Sequence, residues 1–312
     1  MYSINGDRTM AGEIPTRRLG RTGLEVSIVG FGGGHSVNDR IDEATTVRLI
    51  QEAIDAGMTF MDNAWEYSDG EAERRMGVAL EGRRDKVTLM TKVCARDKET
   101  ATAQLEESLR RLRTDVIDVW QFHECNYDND PEWIFRPGGA IEAAVAARDA
   151  GKIRFIGFTG HKSPHIHKAM LQQDFEWDTC QMPVNVLDAH YRSFQHELLA
   201  ELQRRDIGVI GMKALGGGGQ IVREVGLTAE QCRGYALSLP ISTLVCGIQS
   251  DANLQQDIRL AGGFEPYGAD EMAALEAQVR EHATDGRHEW FKSMQRFDSQ
   301  YHRDQHGFQT VG

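Results

Sequence analysis

Short apolar runs alternate along most of the chain with longer stretches in which apolar residues recur three and four positions apart. The short runs are typical of buried strands, and the longer stretches have the spacing of amphipathic helices. Strands are predicted at residues 28–34, 59–61, 87–90, 116–122, 153–158, 179–182, 208–212 and 243–246. Helices are predicted near residues 41–56, 71–80, 100–112, 138–150, 164–172, 194–204, 228–238 and 253–261.

Eight strand–helix alternations predict a closed (β/α)8 TIM barrel, an α/β fold. Helices between strands enforce parallel pairing with right-handed crossovers, and eight units in about 250 residues is the usual size of this barrel. A doubly wound open sheet is the alternative. It is disfavoured because no G-x-G-x-x-G motif follows the first strand in the required register.

The segments on either side of the barrel have a different pattern. Residues 1–15 are polar and predict a loose tail, whereas residues 16–27 place two short extended runs around a glycine turn, which indicates a β-hairpin. One more helix is predicted at residues 269–283. Residues 286–312 mix aromatic and charged side chains, and we expect this tail to fold over the barrel mouth and line a substrate pocket. The barrel domain itself is predicted to span residues 16–285.

Charge and cysteine content narrow the class of protein. The net charge is -12 over 312 residues, which argues against nucleic acid or an anionic membrane surface as an obligatory partner. The five cysteines are scattered and never form a C-x-x-C pair, so neither a disulfide framework nor a zinc ribbon is expected. No stretch has the apolar length of a signal sequence or a membrane span. A reducing, cytoplasmic compartment is therefore predicted.

Four polar side chains follow consecutive predicted strands. Asp62 and Tyr67 come after the second strand, Lys92 ends the third and His123 ends the fourth. In a barrel these positions meet at one mouth, where barrels keep their chemistry. A lysine after an apolar strand needs a carboxylate partner, and Asp62 is the obvious one; the pair would make the nearby Tyr67 hydroxyl a better acid. Each residue alone is commonly structural, but their joint occurrence predicts an active site.

The chain resembles the aldo-keto reductase superfamily from Arg17 to about Leu275. The matching elements are the hairpin at residues 18–24, the Asp62 to Tyr67 spacing, Thr91-Lys92, the strand at residues 115–123, Gly157-Phe158-Thr159, Gln181 with Asn185, and residues 213–218. The resemblance implies a barrel that binds an extended NADP(H) or NAD(H) without a Rossmann domain. It further implies that Tyr67 is the general acid, that Lys92 and Asp62 lower its pKa, and that His123 orients the substrate carbonyl.

The resemblance also implies a cofactor site, from which this sequence departs in places. Relatives hold the nicotinamide carboxamide with a Ser-Asn pair and a glutamine, for which this chain has Thr159-Gly160 and Gln181. Met212 replaces an aromatic platform that many relatives carry, and a methionine is a softer apolar surface. The pyrophosphate is expected at Lys213, Leu215, Gly216, Gly217 and Gly218, because glycine backbones allow close approach.

The segment after the eighth strand corresponds to the family's adenosine-phosphate region. Gly247, Gln249, Asn253 and Asp257 are the candidate contacts, with Asp257 suited to a ribose hydroxyl. Residues 246–257 contain no lysine or arginine, although a 2′-phosphate favours cationic donors. NADP(H) is expected on family grounds, and NAD(H) remains an alternative.

Substrate and metal contacts are less strongly indicated. Trp65, Glu124 and Trp133 are predicted to line the substrate pocket, because long loops at the top of a barrel shape such pockets. Three histidines, His161, His165 and His167, lack the partners that catalytic barrel metals have, so no metal site is expected.

The leading hypothesis is an NAD(P)(H)-dependent oxidoreductase that reduces an aldehyde, ketone or sugar-like carbonyl, or oxidises the corresponding alcohol. Tyr67 would give or take the proton. Two alternatives are a cofactor-binding regulatory subunit whose redox state a partner reads, and a redox-neutral lyase or epimerase with retained cofactor. The expected partner is a small molecule; the sequence specifies neither the direction of reaction nor the oligomeric state.

Overall fold

Eight parallel strands close into a barrel in the computed structural model, which describes residues 13–38, 40–293 and 300–307. Each barrel strand pairs with the next in the chain, and the last pairs with the first. The barrel strands are β3 (Val29–Gly32), β4 (Phe60–Asp62), β5 (Thr88–Val93), β6 (Ile117–Phe122), β7 (Ile153–Thr159), β8 (Thr179–Pro183), β9 (Gly208–Met212) and β10 (Thr243–Gly247). The predicted TIM barrel is confirmed.

Helices α1 to α8 lie in the connections between successive barrel strands, and α9 to α12 follow the last strand. They are α1 (Glu43–Asp55), α2 (Glu71–Ala79), α3 (Lys98–Leu112), α4 (Asp130–Phe135), α5 (Ala140–Asp149), α6 (Pro164–Leu171), α7 (Phe194–Arg204), α8 (Ala229–Ser238), α9 (Asp251–Gly262), α10 (Ala269–Ala283), α11 (Trp290–Ser293) and α12 (Gln300–His306). Among these described helices, none combines the length and apolar character that crossing a bilayer requires. A short π-helical turn, Ile221–Val225, precedes α8.

Side-chain caps fix where several helices begin. The first N–H groups of a helix lack partners within the helix, so an oxygen placed just before them stabilises that end. Such caps come from Asp42 for α1, Asp97 for α3, Ser193 for α7, Thr228 for α8 and Ser250 for α9. These caps stand in the connections that follow strands, at the face where the predicted site residues lie.

The predicted hairpin is present and contributes to the barrel floor. Strands β1 (Thr16–Arg18) and β2 (Glu25–Ser27) pair antiparallel. Leu19 and Val26 are fully buried and join the apolar cluster that contains Phe60 and Ile210. The hairpin therefore packs its apolar residues into the lower core of the barrel.

The part of the C-terminal segment around α11 docks on the connection after β8. Lys292 of α11 is fully buried, and its Nζ lies 2.5 Å from Asp188 Oδ1. Asn185 Nδ2 donates to Glu289 Oε1 at 2.8 Å. Buried ion pairs of this kind are costly to break singly, so the docking is specific. Residues 1–12, 294–299 and 308–312, which include parts of both predicted tails, lie outside the described residues.

Replacing Gly20 with alanine should destabilise the fold by about 3 kcal/mol. Gly20 has φ +50°, and an added Cβ would lie 2.2 Å from the backbone nitrogen of Gly208. Strain at positive φ and overpacking against backbone each cost roughly 1 to 3 kcal/mol. Gly23→Ala is the matched control, because Gly23 has φ +72° with nothing within 4 Å of an added Cβ. Urea denaturation measures both variants; equal losses would contradict the close hairpin–barrel contact.

Candidate functional site

A cavity of about 560 Å³ opens at the carboxyl ends of the barrel strands. It extends from the β4 and β6 ends towards β10 and helices α8 and α9. The predicted residues in its wall are Asp62, Tyr67, His123, Glu124, Met212, Lys213, Leu215, Gly217, Gly218, Gly247, Gln249 and Asn253. The barrel thus brings most of the proposed catalytic and cofactor residues to one cavity.

Lys92 and Asp62 form a buried ion pair beside Tyr67. Lys92 is 1% exposed at the end of β5, and its Nζ binds Asp62 at the end of β4. The same Nζ donates to the carbonyl of Asn63 at 2.7 Å and lies 3.4 Å from Tyr67 Oη. Three partners thereby fix the ammonium group next to the phenol.

Gln181 supports this pair from β8. Its Nε2 donates to Asp62 Oδ2 at 3.0 Å, so both carboxylate oxygens of Asp62 are bound. The structure places Gln181 and Thr159 in the barrel interior, and neither lines the cavity. In the protein alone Gln181 holds the Asp62 carboxylate, and contact of Thr159 and Gln181 with a nicotinamide amide stays a prediction.

His123 has a carboxylate partner that the catalytic prediction did not include. Its Nδ1 lies 2.7 Å from Glu66 Oε1, and Cys94 Sγ donates to Glu66 Oε2 at 2.7 Å. The Tyr67 and His123 rings meet edge to face, 5.5 Å between centroids. Glu66 directly precedes Tyr67, and Cys94 follows Lys92 by two positions; both neighbours were therefore visible in the sequence, although nothing there indicated their mutual contact.

The expectation that Lys92 and Asp62 lower the pKa of Tyr67 is not met in the protein alone. Burial raises the pKa of Tyr67 well above its usual value, and the carboxylates of Asp62, Glu66 and Glu124 raise it further. Burial and nearby negative charges both disfavour a phenolate. Tyr67 is consequently held as a protonated phenol, the form that donates a proton.

Glu66 and Cys94, which are hydrogen-bonded to each other, have pKa values shifted in opposite directions. Burial alone would raise the pKa of Glu66, but the facing His123 and the hydrogen bonds from His123 and Cys94 lower it to about 2. Burial raises the pKa of the Cys94 thiol well above its usual value, and Glu66 adds to this rise. Glu66 is therefore a carboxylate that accepts from a neutral thiol.

Lys213 places a second cation in the cavity wall. Burial lowers its pKa to about 8, although Glu124 opposes the shift. His35, also in the wall, has its pKa lowered by burial and by Lys213. At neutral pH Lys213 remains mostly charged, which suits an anionic ligand.

The glycine run that follows forms a tight turn over the cavity. Gly217, Gly218 and Gly219 line the wall, whereas Gly216, at φ +78°, donates its N–H to the carbonyl of Lys213 at 2.9 Å and does not line it. Positive φ is accessible to glycine at little cost, which explains the composition of the turn. Gly216 therefore shapes the loop.

Two arginines supply the positive charge that the segment after the eighth strand lacks. Arg223 of the π-helical turn and Arg233 of α8 both line the same cavity as Gln249 and Asn253. Both arginines precede β10 in the chain, so they lie outside residues 246–257, the segment in which a phosphate partner was expected. The barrel places α8 beside α9, where Arg233 Nη1 donates to Gln256 Oε1 at 3.2 Å.

Asp257 does not face the cavity as predicted. It is fully buried, and its Oδ1 lies 2.5 Å from Arg233 Nη1. Burial raises the pKa of Asp257 to about 7, while Arg233 opposes the rise. In the protein alone the carboxyl group therefore positions Arg233, and its contact with a ribose hydroxyl stays a prediction.

Neither predicted tryptophan lines the cavity. The indole N–H of Trp65 donates to Glu107 at 2.8 Å, and Arg111 stacks on its ring at 5.5 Å. Trp133 lies on α4 with the Arg136 guanidinium 3.8 Å from its ring centroid. Of the three predicted substrate contacts, the structure keeps Glu124 in the wall.

The three histidines considered as metal ligands lie apart. His161 lines the cavity and its backbone N–H donates to Asn126 at 3.0 Å. His165 is exposed and pairs with Asp128 at 2.6 Å. His167 is buried, with its ring against Phe158 and Phe194. Burial of the His167 ring lowers its pKa to about 4, so it is a neutral core residue.

Comparison with known proteins gives one consistent family. The model of the Aldo/keto reductase family matches residues 28–230, which is more than half of the chain. Aldo-keto reductase AMT2 of Alternaria alternata is 29% identical over 247 residues, covering 65% of this chain and 65% of the relative. L-galactose dehydrogenase of Arabidopsis thaliana is 32% identical over 160 residues, covering 47% of this chain and 49% of the relative. The chain spans less than two thirds of either relative.

Solved structures show the same fold. The aldo-keto reductase AKR11C1 from Bacillus halodurans, in its holo form, matches with a TM-score of 0.72. The match covers 85% of this chain and 96% of that chain at 24% sequence identity. Identity at this level supports the barrel architecture alone.

Lys92→Met should destabilise the protein by about 3 to 5 kcal/mol, because it leaves the Asp62 carboxylate buried without its cation. The double variant Lys92→Met/Asp62→Asn removes both charges and keeps an acceptor for Gln181, so it should recover most of that loss. Urea denaturation of the two variants and the parent protein measures the difference. If Lys92→Met lowers the free energy of unfolding no more than the double variant does, the charges of Lys92 and Asp62 do not stabilise each other.

Proposed function

Because the chain belongs to the aldo/keto reductase family and is therefore an oxidoreductase, we propose that it interconverts a small carbonyl compound and its alcohol with NADP(H) or NAD(H). The observation that carries the proposal is the protonated Tyr67 phenol in the cavity wall, 3.4 Å from the Lys92 ammonium and beside His123. Reduction of a carbonyl needs such an acid within reach of the oxygen.

The cavity wall fits a dinucleotide. At Gly34 and Gly247 an added Cβ would lie 3.1 Å from the rings of Tyr67 and His35 respectively, so only glycine leaves these surfaces open. Lys213, Arg223 and Arg233 add positive charge along the same wall. Glycine backbones and cationic side chains together suit an extended anionic molecule. When bound, the nicotinamide cofactor supplies or accepts the hydride.

Different residues along the cavity would hold different parts of that cofactor. Met212 offers an apolar surface near Asp62 and Tyr67 for the nicotinamide. Lys213 with the backbone of Gly217 and Gly218 would hold the pyrophosphate. Gln249 and Asn253 remain candidates for the adenosine end.

Preference for NADP(H) is supported by the two arginines in the cavity wall. A 2′-phosphate is bound well by guanidinium groups, which donate several parallel hydrogen bonds. Arg233 is held in place by Asp257, whereas Arg223 is exposed and contacts the Gly218 carbonyl at 2.6 Å. We therefore favour NADP(H), with NAD(H) as the alternative.

Proton transfer at the carbonyl is assigned to Tyr67. Its hydroxyl donates to the carbonyl oxygen as negative charge develops there, and the Lys92 ammonium stabilises the phenolate that results. Asp62 and Gln181 keep Lys92 in place. In alcohol oxidation the same phenolate accepts the alcohol proton.

His123 is assigned to orientation of the substrate. Its Nδ1 is engaged by Glu66, so Nε2 is the nitrogen left for a substrate oxygen.

The polar character of the cavity supports a hydroxylated, sugar-like substrate. Glu124, His161 and Lys213 line the wall near Tyr67 and can bond several hydroxyl groups. The name of the Arabidopsis relative, L-galactose dehydrogenase, is consistent with this substrate class.

Tyr67→Phe should lower kcat by roughly 10² to 10⁴, because the variant lacks the proton donor. Affinity for NADPH should change less than about twofold, since the hydroxyl acts on the substrate oxygen. The assays are reduction of DL-glyceraldehyde with NADPH and oxidation of L-galactose with NADP⁺. Tyr191→Phe is the control: this tyrosine lies outside the cavity wall, and its variant should keep the parent rate. Parent-like turnover by Tyr67→Phe would refute the acid role.

A further inference from the structure

Glu66, Cys94 and His123 form a cluster that the proposed chemistry uses only in part. Their potential ligand atoms, a carboxylate oxygen, Sγ and a ring nitrogen, all lie within 4.8 Å of one another. Within the described ranges, this is the one such group of histidine, cysteine and acidic side chains. Cys94 is 1% exposed and His123 is 6% exposed, so the cluster is shielded from solvent.

The barrel holds the three side chains in place before any ligand arrives. Glu66 lies in the connection after β4, Cys94 directly follows β5 and His123 directly follows β6. Backbone bonds link these neighbours: the His123 N–H donates to the Val93 carbonyl at 2.8 Å, and the Trp65 N–H donates to the Lys92 carbonyl at 3.1 Å. A site built on adjacent strand ends loses little conformational freedom on binding.

The mixed donor set selects a class of metal ion. Thiolate and imidazole together favour zinc and similar transition metals, whereas magnesium and calcium prefer oxygen ligands alone. Zinc binds sulfur at about 2.3 Å and nitrogen or oxygen at about 2.0 to 2.2 Å, which holds its ligand atoms roughly 3 to 4 Å apart. The 2.7 Å contacts of Glu66 with His123 Nδ1 and Cys94 Sγ, and the 4.8 Å outer limit of the group, bracket that spacing.

We propose that Glu66, Cys94 and His123 bind a zinc-class divalent cation through Glu66 Oε, Cys94 Sγ and His123 Nδ1. Three protein ligands leave one position of a tetrahedral ion open, for water or a substrate oxygen. Binding releases the thiol proton of Cys94 to solvent. The metal replaces the His123–Glu66 hydrogen bond, so the proton of the neutral ring moves to Nε2.

The site would link metal binding to the orientation of the substrate. With metal on Nδ1, neutral His123 presents an Nε2–H donor to the cavity without needing a positive charge. This consequence rests on the function proposed for His123, whereas metal binding itself does not. The metal site is therefore testable without cofactor or carbonyl compound.

The test is titration of the chelator-treated protein, free of cofactor, with Zn²⁺ by calorimetry and with Co²⁺ by absorption spectroscopy. We expect one ion per chain and a near-ultraviolet thiolate-to-cobalt charge-transfer band. Cys94→Ser should abolish the band, and both Cys94→Ser and Glu66→Gln should weaken Zn²⁺ binding by roughly tenfold or more. Mg²⁺ should not compete.

His165→Ala is the matched control, because His165 is exposed and paired with Asp128 outside the cluster. This variant should bind Zn²⁺ as the parent does. Absence of saturable binding, or a charge-transfer band that persists in Cys94→Ser, would overturn the proposal. If Cys94→Ser fails to fold by circular dichroism, Glu66→Gln and the ¹⁵N chemical shift of His123 Nδ1 decide the question. Metal binding without turnover would refute the proposed function and leave the metal site standing.

Discussion

The buried ion pair between Lys92 and Asp62 is the constraint on which the rest of the site depends. An ammonium group that is 1% exposed must be compensated, since an unpaired buried charge costs several kcal/mol. Compensation requires the ends of β4 and β5 to stay in register, and Gln181 extends the requirement to β8. The same ammonium group then lies 3.4 Å from Tyr67, so the interaction that stabilises the barrel mouth also prepares the acid.

The architecture was predictable because its signals are local. Apolar periodicity marks each strand and helix, and residues such as Asp42 and Thr228 cap helices where the periodicity begins. Parallel closure then follows from the alternation. The docking of α11 was expected only in outline, since the buried contact between Lys292 and Asp188 joins residues that are far apart in the chain and have no common motif.

The site was predictable to the extent that strand ends determine it. Asp62, Tyr67, Lys92 and His123 follow consecutive units, so barrel closure alone brings them together. Arg223 and Arg233 were not predicted because they lie in the segment before β10, and only the packing of that segment brings them to the cavity wall. Asp257 lies in the expected segment, but the sequence did not indicate that its carboxyl group is buried against Arg233. These contacts arise when distant segments pack together, so no single segment of the sequence indicates them.

The central claim is that this cavity binds a nicotinamide dinucleotide beside Tyr67. The measurement that tests it most directly is titration of the purified protein with NADPH and with NADH, followed by quenching of tryptophan fluorescence. We predict saturable binding of both, with NADPH the tighter ligand because the guanidinium groups of Arg223 and Arg233 line the cavity. If neither dinucleotide binds saturably, the cavity is not a nicotinamide cofactor site, and the chain shares only the barrel fold with its family.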